Sequence, residues 1–162
     1  MENKKNTIGI VTLHSPHNYG SFLQTYALVT TLKKIGLDVK VINFQHEITK
    51  SLYEHMVWSK YKSIRLNIED FILQYIFRHG IRREQAFKKL IAIKLPITKE
   101  YNNRFEIQEH FNYLVCGSDQ IWNPVASGNN DPIYYLDFGD KSSKRFAYAA
   151  SSGSKEFGKG NE

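Results

Sequence analysis

The chain has 162 residues, of which 41% are hydrophobic and 23% are charged, a composition typical of one folded domain and not of a disordered chain. Its net charge of +6 favours anionic partners, but the cations are spaced along predicted helices, so we predict no nucleic-acid binding. The single cysteine, Cys116, excludes a disulfide framework and a cysteine metal cluster, and the histidines show no metal-ligand spacing, so no metal site is predicted.

The N-terminal part of the chain predicts a strand–helix–strand unit. Residues 8–13 are short, apolar and partly β-branched, as in a buried parallel strand. After a turn, apolar side chains recur at helical spacing over residues 21–35, and Gly36 stands where a helix C-cap is expected. The side chains of residues 38–44 alternate in the pattern of a strand, which predicts a second strand there. Such a unit has a right-handed parallel crossover and is typical of doubly wound sheets.

The middle of the chain predicts helices, and its last third predicts further strands. Apolar residues recur at helical spacing in residues 64–76 and again in 82–93. Pro96 predicts the start of an irregular connection. A short helix is predicted for 104–111, and strands are predicted for 113–116, 134–138 and 145–150.

These elements predict an α/β fold, a Rossmann-like three-layer domain with a mainly parallel sheet, over residues 1–153. Residues 154–162 are polar and contain two glycines, which predicts a loosely ordered tail. No apolar stretch is long enough for a membrane span or a secretory signal. We therefore predict a cytoplasmic protein with at most peripheral membrane contact.

Three of the predicted strands end in loops of small and polar residues. The loops read HSPHNYGS at 14–21, GSDQIWN at 117–123 and SSG at 151–153. Ligands of open parallel sheets bind beyond the carboxyl ends of the strands, so these loops meet at one edge if the strands are neighbours. The start of the first helix adds unpaired N–H groups and a positive dipole end, which suit an anion. The sequence therefore predicts a ligand cleft at this edge.

His14, His17 and Asp119 are the candidate proton-transfer groups. Histidine titrates near neutral pH and a carboxylate can accept a hydroxyl proton; the alternatives are structural histidines and an Asp119 that caps a turn. Trp122 beside Asn123 suits a carbohydrate, which needs an aromatic face with polar groups at its rim, although a packing role fits the same spacing. The glycines form neither a Walker loop nor a dinucleotide fingerprint, so no nucleotide cofactor is predicted.

Five segments, read in order, carry a resemblance to a known family. They are HNYGSFLQTYAL at 17–28, KKIGLDVKVINF at 33–44, NYLVCGSDQIWN at 112–123, YYLDFG at 134–139 and KRFAYAASSG at 144–153. In this order and combination they resemble the polysaccharide pyruvyl transferase family. The resemblance implies the N-terminal half of a two-domain enzyme similar to the GT-B glycosyltransferases, with the C-terminal donor-binding domain absent from this sequence.

The resemblance also implies an activity. A pyruvyl group passes from phosphoenolpyruvate, a co-substrate and not a cofactor, to two hydroxyls of a sugar, forming a ketal in a surface exopolysaccharide or its lipid-linked precursor. The cations that bind phosphoenolpyruvate are expected in the absent half, which a separate gene could encode, so this chain is expected to be truncated and poorly active alone. Two alternatives stay open: a non-catalytic remnant or glycan-binding module, and a GT-B-like glycosyltransferase.

Finally, the resemblance assigns residues to the substrate-binding wall of the cleft, without identifying a catalytic residue. From the first motif these are Asn18, Tyr19, Gly20 and Gln24. From the second motif they are Gly117, Ser118, Asp119, Gln120, Trp122 and Asn123.

Overall fold

The computed structural model describes residues 6–14, 18–44, 63–76, 79–123 and 131–153. The strands are β1 (Thr7–Val11), β2 (Asp38–Phe44), β3 (Ile97–Tyr101), β4 (Tyr113–Asp119) and β5 (Lys144–Ala150). They form one parallel sheet in the order β3-β2-β1-β4-β5, which confirms the predicted α/β, Rossmann-like fold. The helices are α1 (Tyr19–Lys34), α2 (Ile64–Ile76) and α3 (His79–Lys94), with 3-10 turns at Arg104–Glu106 and Pro132–Tyr135. None of these helices is long and apolar enough to cross a bilayer.

Helix α1 begins and ends where local capping rules favour it. Asn18 precedes it in an extended conformation, and its side chain accepts the Gly20 N–H at 2.8 Å. At the other end Gly36 has a φ of +90°, and the Leu37 N–H donates to the Leu32 carbonyl at 3.2 Å, as in a Schellman cap. The predicted strand–helix–strand unit is confirmed, and β2 has the predicted bounds.

Residues 134–138 do not form the strand that the sequence predicts. Pro132 opens a 3-10 turn, the Asp131 carboxylate accepts the Ile133 N–H at 3.0 Å, and Leu136 ends the turn with a φ of 59°. Proline lacks the N–H that a strand ladder needs and is favoured at the first position of a helical turn. The Asp-Pro pair therefore outweighs the strand-like aromatic composition of the segment.

The segment from Pro96 to residue 111 also differs from the prediction. In place of an irregular connection, β3 follows Pro96 and pairs with β2 at the edge of the sheet. Pro96 precedes the strand, where its missing N–H is not needed, and its carbonyl accepts the Val41 N–H at 2.9 Å. The helix predicted for 104–111 is confined to the 3-10 turn Arg104–Glu106.

An apolar layer lies on each face of the sheet, as a three-layer domain requires. The layer under α1 and α3 contains Ile8, Ile10, Phe22, Val29, Val39, Val41, Phe87, Ile91, Leu95 and Val115. The layer on the opposite face contains Val11, Leu13, Ile42, Phe44, Tyr101, Ile107, Phe111, Leu114, Cys116, Ile121, Ile133, Tyr134, Leu136 and Phe138. Burial raises the pKa of the Cys116 thiol, so this side chain behaves as a structural, apolar group.

The face of β5 beside α1 stays open to solvent. Val115 of β4 pairs in register with Phe146 of β5, yet Phe146 and Tyr148 are both more than half exposed. A groove of about 550 Å³ separates them from α1, and Gln24 and Ser118 also line it. Because parallel sheets normally bury both faces, β5 is the least protected strand of the described sheet.

Candidate functional site

The carboxyl ends of β1 and β4 lie side by side at the centre of the sheet. From β1 the chain proceeds outward to β2 and β3, then returns to the centre and proceeds to β5 on the other side. A sheet that reverses in this way opens a crevice between its two central strands, where ligands bind. The Thr12 hydroxyl donates to the Ser118 carbonyl at 3.2 Å and joins the two strand ends. The loops after β1, β4 and β5 therefore begin at one edge, as predicted.

Asp119 is the last residue of β4, and its half-buried carboxylate accepts three hydrogen bonds at this crevice. The Ser21 hydroxyl donates to Oδ2 at 3.2 Å, and the Gln24 side-chain amide donates to the same oxygen at 2.7 Å. The Gln120 backbone N–H donates to Oδ1 at 2.7 Å. A carboxylate has about four lone-pair positions, so one position can still accept a hydroxyl of a ligand.

The side-chain amide of Gln24 connects Asp119 with Ser118. The Ser118 hydroxyl donates to its Oε1 at 3.2 Å, while its Nε2 donates to Asp119, so both ends of the amide are oriented. Ser21 and Gln24 lie three residues apart on α1 and share one face of the helix. The four side chains of Ser21, Gln24, Ser118 and Asp119 thus form one hydrogen-bonded group, named the Asp119 network below.

The backbone around Asp119 adopts a conformation that few residues tolerate. Gly117 has a φ of 112° and Asp119 a φ of 143°. A Cβ at Gly117 would lie 2.0 Å from the Tyr148 carbonyl oxygen of the neighbouring strand, so only glycine fits there. Asp119 is not glycine, and a strained φ of this kind costs about 1–3 kcal/mol and is concentrated at functional sites. The Ser151 N–H donates to the Asp119 carbonyl at 3.0 Å and joins the second loop to the third.

His14 lies apart from the Asp119 network. Its ring is buried, with Nδ1 donating to the Thr12 carbonyl at 3.1 Å and Nε2 lying 3.1 Å from the side-chain amide of Asn43 on β2. Burial lowers the pKa of His14, so the ring is neutral at neutral pH. This placement favours the structural alternative for His14. His17, the other candidate histidine, lies outside the described residues.

Of the four first-motif residues that the resemblance assigns, Gln24 is the one that belongs to the Asp119 network. Asn18 caps α1, and its side chain already accepts the Gly20 N–H, so that donor is not free for the anion predicted at the helix start. Tyr19 is exposed and meets Phe87 edge to face, with ring centroids 5.3 Å apart. These three residues lie at the start of α1, whereas Asp119 accepts its hydrogen bonds from Ser21, Gln24 and Gln120.

The second motif divides into two parts. Ser118 and Asp119 face α1, whereas Gln120, Trp122 and Asn123 belong to an outer part of the loop. The Trp122 indole N–H donates to the Tyr134 carbonyl at 3.1 Å, and the Asn123 amide donates to Gln120 Oε1 at 3.3 Å. The resemblance assigns all of them to one wall of the cleft; in the structure the Trp122 and Asn123 side chains bond to neighbours other than Asp119.

Ser21 is the member of the Asp119 network that the sequence analysis does not assign. The sequence feature that could have identified Ser21 is its position on the first turn of the helix, three residues before Gln24 and therefore on the same helix face. Aspartate is the only charged side chain of the network, and the three loops contain neither lysine nor arginine. The described residues also contain no group of three His, Cys, Asp or Glu side chains able to hold a metal ion. A carboxylate held in this way can accept a hydrogen bond from a hydroxyl group of a ligand.

Comparison with known proteins assigns the chain to a family. A family model described as polysaccharide pyruvyl transferase matches residues 18–162, which include the first motif from Asn18 onward, the second motif and every strand except β1. Curated proteins and solved structures return no match. The matched range contains the whole Asp119 network. On this basis the chain belongs to the polysaccharide pyruvyl transferase family.

Proposed function

We propose that the crevice binds a sugar of a surface polysaccharide, or of its lipid-linked precursor, and that the enzyme transfers a pyruvyl group to it from phosphoenolpyruvate. Family membership supports the reaction class. The observation that carries the proposal is the Asp119 carboxylate, which accepts three hydrogen bonds at the crevice and has room for one more from a sugar hydroxyl.

The proposed reaction joins two sugar oxygens to C2 of phosphoenolpyruvate. One hydroxyl adds to C2 while the methylene carbon C3 receives a proton and becomes a methyl group. The bond between C2 and the phosphate oxygen then breaks, and the second hydroxyl adds to C2 to complete the ketal. Of the two hydroxyl protons, one balances the proton gained at C3 and the other leaves with inorganic phosphate.

Asp119 is the proposed general base for a sugar hydroxyl. A base of this kind must lie within hydrogen-bond reach of the proton that it accepts, and it contributes about 10²–10⁴-fold to the rate. Ser21 and Gln24 both donate to Oδ2, so they hold the carboxylate in one orientation. This arrangement reduces the reorganisation required when the hydroxyl oxygen attacks.

Phosphoenolpyruvate carries negative charges that lysine and arginine bind well, and the three loops contain neither residue. Its carboxylate and phosphate are bound best by arginine, lysine and N–H groups. The loops contain neither cation, and the Gly20 N–H donates to Asn18. We therefore propose that phosphoenolpyruvate is held by residues outside these loops, in a second domain or a separately encoded half that faces the crevice.

Deletion of the gene from the source organism tests this function independently of whether the isolated chain is active. We expect the methyl signal of pyruvyl ketals to disappear from the NMR spectrum of the surface polysaccharide. The wild-type gene should restore it, and a gene carrying Asp119→Asn should not. Ketals that persist after deletion, or a polysaccharide that never contains them, would contradict the proposal. Loss of a sugar residue in place of the ketal would favour the glycosyltransferase alternative.

A further inference from the structure

Tyr135 combines solvent exposure with a fixed ring position. The residue is 51% exposed, yet its ring is parallel to the Trp122 ring within 2°, with the centroids 6.1 Å apart. Trp122 in turn packs against the buried layer on that face of the sheet. The aromatic groups are thus stacked in the order core, Trp122, Tyr135, solvent.

The surrounding backbone holds this stack in place. Tyr135 ends the 3-10 turn Pro132–Tyr135, whose start is capped by the Asp131 side chain. The Trp122 indole N–H donates to the carbonyl of the adjacent residue, Tyr134, and Tyr134 itself is buried against Phe44 with ring centroids 6.4 Å apart. An exposed ring that is already ordered loses little conformational entropy when a ligand binds it.

The stack lies on the same edge of the sheet as the Asp119 network. The Trp122 backbone N–H donates to the Ser151 carbonyl at 3.1 Å, and the Ser151 backbone N–H donates to the Asp119 carbonyl at 3.0 Å. Two side-chain amides follow Asp119 in the same loop, where the Asn123 amide donates to Gln120 Oε1. Trp122, which Tyr135 stacks on, and the two amides of Gln120 and Asn123 therefore belong to the loop that follows the proposed base.

We propose that the outer face of Tyr135, supported by Trp122, is a stacking surface for a pyranose ring of the acceptor glycan. The C–H groups on one face of a pyranose are apolar and pack on an aromatic ring, while its hydroxyls need donors and acceptors at the rim. Gln120 and Asn123 supply amides at that rim. The proposal rests on the proposed function for the identity of the glycan as acceptor, but sugar binding here requires no phosphoenolpyruvate.

An NMR titration of the full chain tests this surface. The chain has two tryptophans, and a Trp122→Phe variant assigns the Trp122 indole signal. The probes are the methyl glycosides of glucose, galactose, mannose, N-acetylglucosamine and N-acetylmannosamine, without phosphoenolpyruvate. We expect at least one of them to shift the Trp122 indole signal in a saturable manner. Tyr135→Ala should weaken that binding roughly tenfold, and Tyr135→Phe should largely preserve it.

Tyr26 provides a matched control. It is 40% exposed and stacks on Phe22, with centroids 6.0 Å apart and an interplanar angle of 16°, but it lies on α1. Tyr26→Ala should bind the glycoside as the wild type does. The proposal is overturned if no glycoside shifts the Trp122 signal, or if Tyr135→Ala binds as tightly as the wild type while retaining a dispersed spectrum. If a glycoside binds at Tyr135 but deletion of the gene does not remove the ketals, the stacking surface is supported and the proposed pyruvyl transfer is contradicted.

Discussion

Gln24 Nε2 donates to Asp119 Oδ2 at 2.7 Å, and this bond connects the first half of α1 with the last residue of β4. The two residues are 95 positions apart in the chain, and they meet because β1 and β4 are neighbours in the sheet. The bond orients the carboxylate toward the crevice. It also explains why a neutral glutamine occupies this helix position, because the Ser118 hydroxyl donates to the other end of the same amide.

Gln24→Ala should lower turnover of the ketal-forming reaction at least tenfold, about 1.4 kcal/mol in the activation barrier. The substitution removes the shorter of the two side-chain bonds that orient Asp119 and leaves the Ser118 hydroxyl without its acceptor. The measurement is phosphate release from phosphoenolpyruvate by the active enzyme with its acceptor. Leu23→Ala, at an exposed neighbouring position on α1, is the control and should retain wild-type turnover. Equal turnover in the two variants would show that Gln24 does not contribute to the reaction.

Asp119→Gly should be more stable than Asp119→Ala by about 1–3 kcal/mol. Both substitutions delete the carboxylate and its three hydrogen bonds, so these losses cancel in the comparison. They differ in the backbone, because glycine accepts the φ of 143° that strains alanine. Urea unfolding of the two variants measures the difference. Equal free energies of unfolding would show that the backbone at Asp119 carries no strain.

Gly117→Ala should destabilise the fold much more than Gly36→Ala. Both glycines have positive φ values, 112° and 90°, so both substitutions incur conformational strain of about 1 kcal/mol or more. Only at Gly117 does the added Cβ approach another atom, the Tyr148 carbonyl oxygen at 2.0 Å, whereas nothing lies within 4 Å at Gly36. Denaturant unfolding and soluble yield measure the contrast. Similar losses at the two positions would contradict the close approach of β4 and β5.

The stability of the protein should fall in acid partly because of His14. Burial lowers the pKa of His14 below its ordinary 6.5, so in the window beneath 6.5 the unfolded chain binds a proton that the folded chain does not. The contribution of His14 to the free energy of unfolding therefore has its maximum value above pH 6.5. It declines as the pH falls toward the folded pKa, by up to about 1.4 kcal/mol per pH unit.

Urea unfolding across this pH range, for the wild type and His14→Gln, isolates the contribution of His14. The difference between the two free energies of unfolding should change with pH below 6.5 and be constant above it. A difference that is constant throughout would mean that His14 titrates alike in the folded and unfolded chains. A difference that grows in acid in favour of the wild type would reverse the predicted sign.

The sequence by itself determined the elements whose signals are local. The apolar run of β1, the capped helix between Asn18 and Gly36, and the alternation of β2 are readable because each depends on residues close in the chain. The strand-end loops were identified for the same reason. The structure differs from the prediction at Pro96 and at the Asp-Pro start of the turn Pro132–Tyr135, because the proline and not the neighbouring composition determines each boundary.

Only the tertiary structure decided which residues act together. The local sequence allows Asp119 either to cap a turn or to face a ligand. The parallel pairing of β1 with β4 brings it into contact with Ser21 and Gln24. In the same loop, Trp122 stacks on Tyr135, which belongs to a different segment of the chain. Such pairings depend on the order of the strands and on the surfaces that distant segments bury together. Neither can be deduced from the spacing of residues within one segment.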